Sequence, residues 1–124
     1  MQKESDIQKQ IFNYCTKIAD DKNIVFFSIP NESLMTALRM FEIDMQTSAM
    51  LTNHFKSMGL LPGIPDTCLL YSGKTYFFET KRIGEDANMI QKIVHEKIKR
   101  TGHDVFIVKS LDEFILKLIE IGVV

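Results

Sequence analysis

The chain has 124 residues, 45% hydrophobic and 25% charged, the size and balance of one globular domain without room for a second core. Fifteen basic against sixteen acidic residues leave a net charge of −1, which excludes a histone-like polycation but allows a nucleic-acid enzyme with clustered basic groups and acids that hold metal. Residues 1–6 are polar and unlike a signal peptide, no apolar run reaches roughly 18 residues, and Cys15 and Cys68 are too few for a disulfide framework, so a reducing, cytoplasmic setting with no membrane partner is expected.

From Ser5 to about Ala19, Ile7, Ile11, Tyr14, Cys15 and Ile18 recur at helical spacing, and Ser5 with Gln8 reads as a capping box. Ile24 to Ile29 is a β-branched and aromatic run closed by Pro30, which predicts a buried strand. Glu32 to Met58 keeps helical spacing at Leu34, Leu38, Phe41 and Met45 and again at Leu51, Phe55 and Met58, compatible with one long helix or two short ones. Within it Met35, Met40, Met45 and Met50 recur every five residues, a period of neither helix nor strand. Filling of a core by flexible side chains is the expected use, and a partner-facing surface is the alternative.

Gly59 ends this insert, and Leu60 to Pro65 is a loop by its prolines and glycine. Two strands are then expected, Asp66–Tyr71 and Lys74–Lys81, joined at Ser72-Gly73. A helix from about Glu85 to Thr101 carries acids in its first turn, Lys97, Lys99 and Arg100 in its last, and Gly102 as its terminator. Val105–Val108 is a short strand, and Ser110 with Glu113 caps a last helix to about Glu120. The order is that of one α/β domain, residues 1–124, with a mixed sheet flanked by helices and a helical insert at about 32–58.

The hairpin's register can be counted. A two-residue loop at Ser72-Gly73 places Tyr71 opposite Lys74, hence Asp66 opposite Glu79, their β-carbons about 4.5–5.5 Å apart. Lys81 falls on the same face, because side chains alternate with period two. Two facing carboxylates among Leu69, Leu70, Tyr76, Phe77 and Phe78 repel unless something compensates them. A hard divalent cation does so, since Mg²⁺ takes one or two carboxylates together with waters and phosphate oxygens. The Thr80 carbonyl offers one more oxygen, and Lys81 would orient or deprotonate a water and balance charge on a phosphate. The bland alternative is a surface hairpin in which Glu79 and Lys81 form a weak ion pair.

Gly63-Ile64-Pro65-Asp66 followed by Glu79-Thr80-Lys81 resembles the PD-(D/E)xK nuclease superfamily, and within it the VRR-NUC branch, which is similar in fold to Holliday-junction resolvases. Glu4 and Gln8, Pro30-Asn31-Glu32 and Gln91 belong to the same resemblance, which covers nearly the whole chain. It implies a restriction-endonuclease-like core and a metal-dependent phosphodiesterase with Asp66, Glu79 and the Thr80 carbonyl on metal, Lys81 as catalytic lysine and Gln91 as a nearby polar support. Glu4 is a further ligand candidate, since related resolvases use an acid from the first helix; a negative side chain near a helix start is also favourable by itself.

Lys92, His95 and Lys99 share one helix face, with Arg82 just upstream, and could line a phosphate backbone; a solvated face is the alternative. His54 and His103 have no partner pattern, and Cys68 reads as a small buried hydrophobe. Two motifs fail. Gly73-Lys74-Thr75 lacks the earlier glycine of a phosphate loop and precedes a strand, and His95-Glu96 reaches Lys99 where a metalloprotease needs histidine.

The expected function is thus an Mg²⁺- or Mn²⁺-dependent endonuclease that cuts DNA, leaving by resemblance 5′-phosphate and 3′-hydroxyl ends. One domain offers one catalytic centre, so symmetric cutting of a four-way junction calls for a homodimer through the Met-rich insert or the last helix; flaps are the next substrate. The rival expectations are a non-catalytic nucleic-acid- or protein-binding module on the same fold, and sequence-specific duplex cleavage. A small nuclease of this kind suits a phage or mobile element.

Overall fold

The computed structural model describes residues 2–124; of the polar N-terminal segment, Met1 lies outside them. Helix α1 spans Glu4–Lys22 and turns its buried residues Ile7, Ile11 and Cys15 inward. Its N-cap is Lys3, with no side-chain cap, so the expected Ser5–Gln8 capping box does not form: Ser5 already lies inside the first turn. Asn23 ends it in the left-handed conformation (φ 54°), which asparagine tolerates. Strand β1, Ile24–Ser28, follows at once.

The insert is two helices, α2 (Glu32–Met40) and α3 (Met45–Ser57). The break needs no glycine or proline: Glu42 adopts φ 54°, and the Asp44 carboxylate accepts from Thr47 N at 2.8 Å and from Thr47 Oγ1 at 2.8 Å, capping α3. The backbones of the two helices approach each other and no other helix or strand, neither helix has a buried residue, and the Glu32 side chain at the start of α2 reaches Gln91. Met35, Met40, Met45 and Met50 are all exposed, Met45 at 89%, so the expected core-filling role is wrong. No sheet lies beneath them, and Met35 Sδ accepts from Thr52 Oγ1 at 3.2 Å within the arm itself.

Strands β2 (Thr67–Tyr71) and β3 (Lys74–Thr80) form the hairpin, each one residue shorter than expected at the Asp66 and Lys81 ends. Helix α4 (Met89–Arg100) starts later than expected, because Asn88 caps it in a true capping box with Gln91, and its first turn carries no acid. Strand β4 (Asp104–Val108) and helix α5 (Leu111–Ile121) complete the chain. Ser110 Oγ caps α5 through Glu113 N at 3.1 Å, while Glu113 reaches back to Lys109 N instead of closing the box.

The protein is therefore α/β, with a four-stranded mixed sheet in the order β1-β2-β3-β4. The first two pairings are antiparallel and β3–β4 is parallel, bridged by α4. On one face α1 and α5 bury Ile24, Leu69, Tyr76, Phe78 and Val108 under Ile7, Ile11, Phe114 and Leu118. Phe114 packs between Phe26 and Phe78, at ring-centroid distances of 5.5 and 4.8 Å. The opposite face carries Cys68, Phe77 and Glu79 by alternation; α4 covers its β3–β4 half and leaves Val25, Phe27 and Leu70 exposed.

No helix among the described residues is long and apolar enough to cross a membrane.

Candidate metal and phosphodiester site

The site begins with the turn. Ser72 (φ 50°) and Gly73 (φ 76°) both have positive φ, as a type I′ hairpin requires, and the pairing runs from Tyr71↔Lys74 to Thr67↔Phe78 without a bulge. One step further, Asp66 stands beside Glu79 as counted. Asp66 is pinned on both sides: its carbonyl accepts from Ile29 N at 2.7 Å, and its Oδ2 accepts from Thr80 N at 2.8 Å. In an extended strand the N–H and C=O of a residue point to the same edge, so the Thr80 carbonyl faces the Asp66 side.

The carboxyls of Asp66 and Glu79 are in hydrogen-bonding contact, which requires a shared proton when nothing else neutralises them. Burial, then the Glu79 hydrogen bond and charge, push Asp66 up to about 8 against the pull of Thr80 N–H and Lys81. Glu79, only 1% exposed, is raised to about 7, chiefly by burial; Asp66 and Lys81 restrain it while Glu32 and Glu4 add to the rise.

Lys81 is 7% exposed and fixed at its backbone, where its N–H donates to Val108 O at 3.0 Å. Its Nζ lies 3.8 Å from Glu4 Oε1, so the first turn of α1 delivers an acid to the hairpin as expected. Burial raises the Glu4 carboxyl above its ordinary value, with Lys81 opposing. Asp66, Glu79, Lys81 and Glu4 thus converge.

Gln91, 1% exposed, has both ends of its amide engaged. Oε1 accepts from Asn88 N at 2.9 Å, and Nε2 donates to Glu32 Oε1 at 2.6 Å. It therefore fixes the start of α4 and ties it to the start of α2, a positioning role next to the acids. Glu32 is the residue that sequence reasoning undervalued: it counted only within Pro30-Asn31-Glu32, whereas its charge is felt at both Glu79 and Glu4. It lines a pocket of about 130 Å³ with Asn31, Gly63, Asn88 and Gln91.

Gly63 lets this loop close on α4. Its φ is +87°, and a β-carbon there would sit 2.9 Å from Ile90 O and 3.0 Å from Val94 Cγ2.

The expected phosphate-binding line is broken at His95. Far from facing solvent with Lys92 and Lys99, it is 5% exposed, and its Nε2 lies 3.3 Å from Glu79 Oε1. Lys92 and Lys99 remain outside; Lys92 Nζ lies 3.5 Å from Asp86, and Arg82 is held by Glu85 at 2.6 Å. The helix places His95 one turn beyond Gln91 as well as on the Lys92 side, and packing of α4 on the sheet selects the inward direction. The Gln91, Val94 and His95 pattern was the signal for it.

Among the described residues, no group of three or more His, Cys, Asp or Glu side chains is arranged as a metal cage. Two carboxylates and a carbonyl are nevertheless the sparse, all-oxygen set that Mg²⁺ or Mn²⁺ uses when water and phosphate complete its shell. The donors fit such an ion by their chemistry: Asp66 and Glu79 are two buried carboxyls side by side, each raised by burial, and an all-oxygen pair of this kind suits a hard cation. No family model, curated protein or solved structure matches the chain.

Proposed function

We propose that this protein is a divalent-cation-dependent endonuclease with a restriction-endonuclease-like core of the VRR-NUC type, hydrolysing DNA phosphodiester bonds. The observation that carries this reading is the acid pair: Asp66 and Glu79 share a buried site beside Lys81, at a cost that a cation removes.

Asp66, Glu79 and the Thr80 carbonyl would hold Mg²⁺ or Mn²⁺, with Glu4 in reach of the same space. Bound there, the cation would activate water and neutralise charge on the phosphate. The chain's own part is the rest. Lys81 presents an ammonium beside the acids, where it orients the attacking water and meets the negative charge that grows on the phosphate. Glu4 steers Lys81 across 3.8 Å. Gln91 and Glu32 fix the neighbouring helix starts. Lys92 and Lys99, on the exposed side of α4, supply backbone contacts to DNA.

Branched DNA cut by a homodimer is the favoured form of this activity, in an intracellular setting. The exposed α2–α3 arm with Met40, Phe41 and Met45 supports an interface between two copies. A non-catalytic binding module is the second reading, favoured by the ion pairing of Arg82 and Lys92 with acids, which leaves less positive surface for DNA.

Labelled four-way junctions, flaps and linear duplex, incubated with Mg²⁺ and wild type or Lys81→Ala protein, separate the two. Cleavage of branched DNA that falls by about 10²–10³ in the variant is expected. Equal cleavage by both proteins removes Lys81 from the chemistry, and metal-independent binding without cleavage establishes the second reading.

A further inference from the structure

We propose that His95 is a positioning residue that locks the rotation of the Glu79 carboxylate so that its metal-facing oxygen stays aimed at Asp66 and Thr80. The inference deepens the proposed nuclease reading and rests on it.

Three observations carry it. First, Glu79 Oε1 and His95 Nε2 lie 3.3 Å apart, and each is a buried polar atom without any hydrogen-bond partner. Two buried polar atoms left unpaired are costly, and these face one another, so a small rotation satisfies both at once. Second, the two side chains come from opposite layers. Glu79 projects from β3 toward α4, and His95 projects from α4 back at it, one turn past the buried Gln91. Glu79 is therefore flanked by Asp66 on the hairpin side and by an imidazole on the helix side. Third, α4 is itself fixed at its start by the Asn88–Gln91 capping box and by the Gln91–Glu32 bond, so the imidazole sits on a rigid support.

The physical need is specific. The terminal torsion of a glutamate is broad and two-fold, so an unrestrained carboxylate turns freely about its last bond. A ligand that must present one oxygen to an ion gains from a donor that holds the other, as outer partners of metal ligands do elsewhere. The neutral ring is enough, since one ring N–H is the donor required. Burial first, then Lys99, lowers the imidazole below its ordinary value, with Asp66 and Asp86 opposing and Lys81 assisting. At 5% exposure the ring is unsuited to a contact with DNA.

The test is Mn²⁺ binding to the whole chain, measured by electron paramagnetic resonance, for wild type, Glu79→Gln, His95→Gln and His95→Leu, with a thermal melt of each. His95→Gln keeps an N–H donor at similar reach and His95→Leu removes it. The expected result is a loss of about 10–100-fold in Mn²⁺ affinity for His95→Leu, with affinity recovered in His95→Gln. Where the leucine variant does not fold, His95→Asn replaces it, because its shorter amide no longer reaches Glu79 and the same loss is expected. Wild-type affinity in the donorless variant, with affinity lost in Glu79→Gln, overturns the positioning role and leaves the nuclease reading standing. Mn²⁺ binding that ignores Glu79→Gln overturns both.

Discussion

The hairpin platform and the α2–α3 arm are built from similarly apolar stretches of chain, and they place them in opposite ways. On the platform, alternation sends Leu69, Tyr76 and Phe78 under α1 and α5, and sends Glu79 and Lys81 to the other face, where burial forces charged groups to find partners. On the arm, helical spacing generates an apolar stripe with nothing under it, so Phe41, Met45 and Met58 meet solvent. Periodicity specifies which residues share a face. Only a second layer decides whether that face is a core, and the chemistry of the platform depends on the layer being there.

This contrast can be broken by truncating one aromatic in each region. Phe78→Ala, in the centre of the core, is expected to cost about 3–5 kcal/mol in urea unfolding. Phe41→Ala on the arm is expected to stay within about 0.5 kcal/mol. A large loss at Phe41 at low protein concentration would show that the arm packs on its own chain.

A smaller effect comes from two glycines with positive φ, one under each region. Gly63→Ala meets both the backbone penalty and the clash with Ile90 and Val94, for an expected loss of about 2–4 kcal/mol. Gly59→Ala, where nothing lies within 4 Å, meets only the backbone penalty of about 1–2 kcal/mol. Equal losses would mean that the loop before Asp66 is not pressed against α4.

The smallest expected signal is the pH dependence of the metal-free platform. Asp66 and Glu79 are raised to about 8 and about 7, above the ordinary carboxylate range of about 4 that applies in the unfolded chain. The native state thus holds more protons than the unfolded state, and stability falls as pH rises through those values. His95, lowered by burial and Lys99, acts in the opposite sense only near and below its ordinary value of about 6.5. In chelator-treated protein the melting temperature is expected to drop from about pH 6.5, above the range of His95, to about pH 8 and to level off beyond it, and Asp66→Asn to flatten the drop. A wild-type melting temperature that rises over this range would contradict the shared-proton description of the pair.

What was legible in the sequence follows from how local each cause is. The hairpin register could be counted because Ser72-Gly73 selects one turn and the period of two does the rest: the pairs from Tyr71↔Lys74 to Thr67↔Phe78 run as counted, and Asp66 and Glu79 interact at their end. Glu4 was singled out through the family resemblance alone, and in the structure its carboxylate lies 3.8 Å from Lys81 Nζ. Helix starts were less legible: the Ser5–Gln8 pattern matched a box that does not form, while Asn88 with Gln91, which carries the same signal, does form one. His95 was misread because a helix wheel offers it two faces, and the choice belongs to the sheet that α4 covers. The methionines were misread because burial is a property of neighbours, and the arm has none on the sheet.

The central claim is that the Asp66–Glu79 pair is tolerable in its buried setting because it holds a divalent cation. Calorimetric titration of Mn²⁺ into wild type and into Asp66→Asn tests it most directly. The account predicts saturable binding to the wild type that weakens at least tenfold, about 1.4 kcal/mol, when this one carboxylate is neutralised. Identical isotherms for the two proteins, or no binding to either, would contradict it.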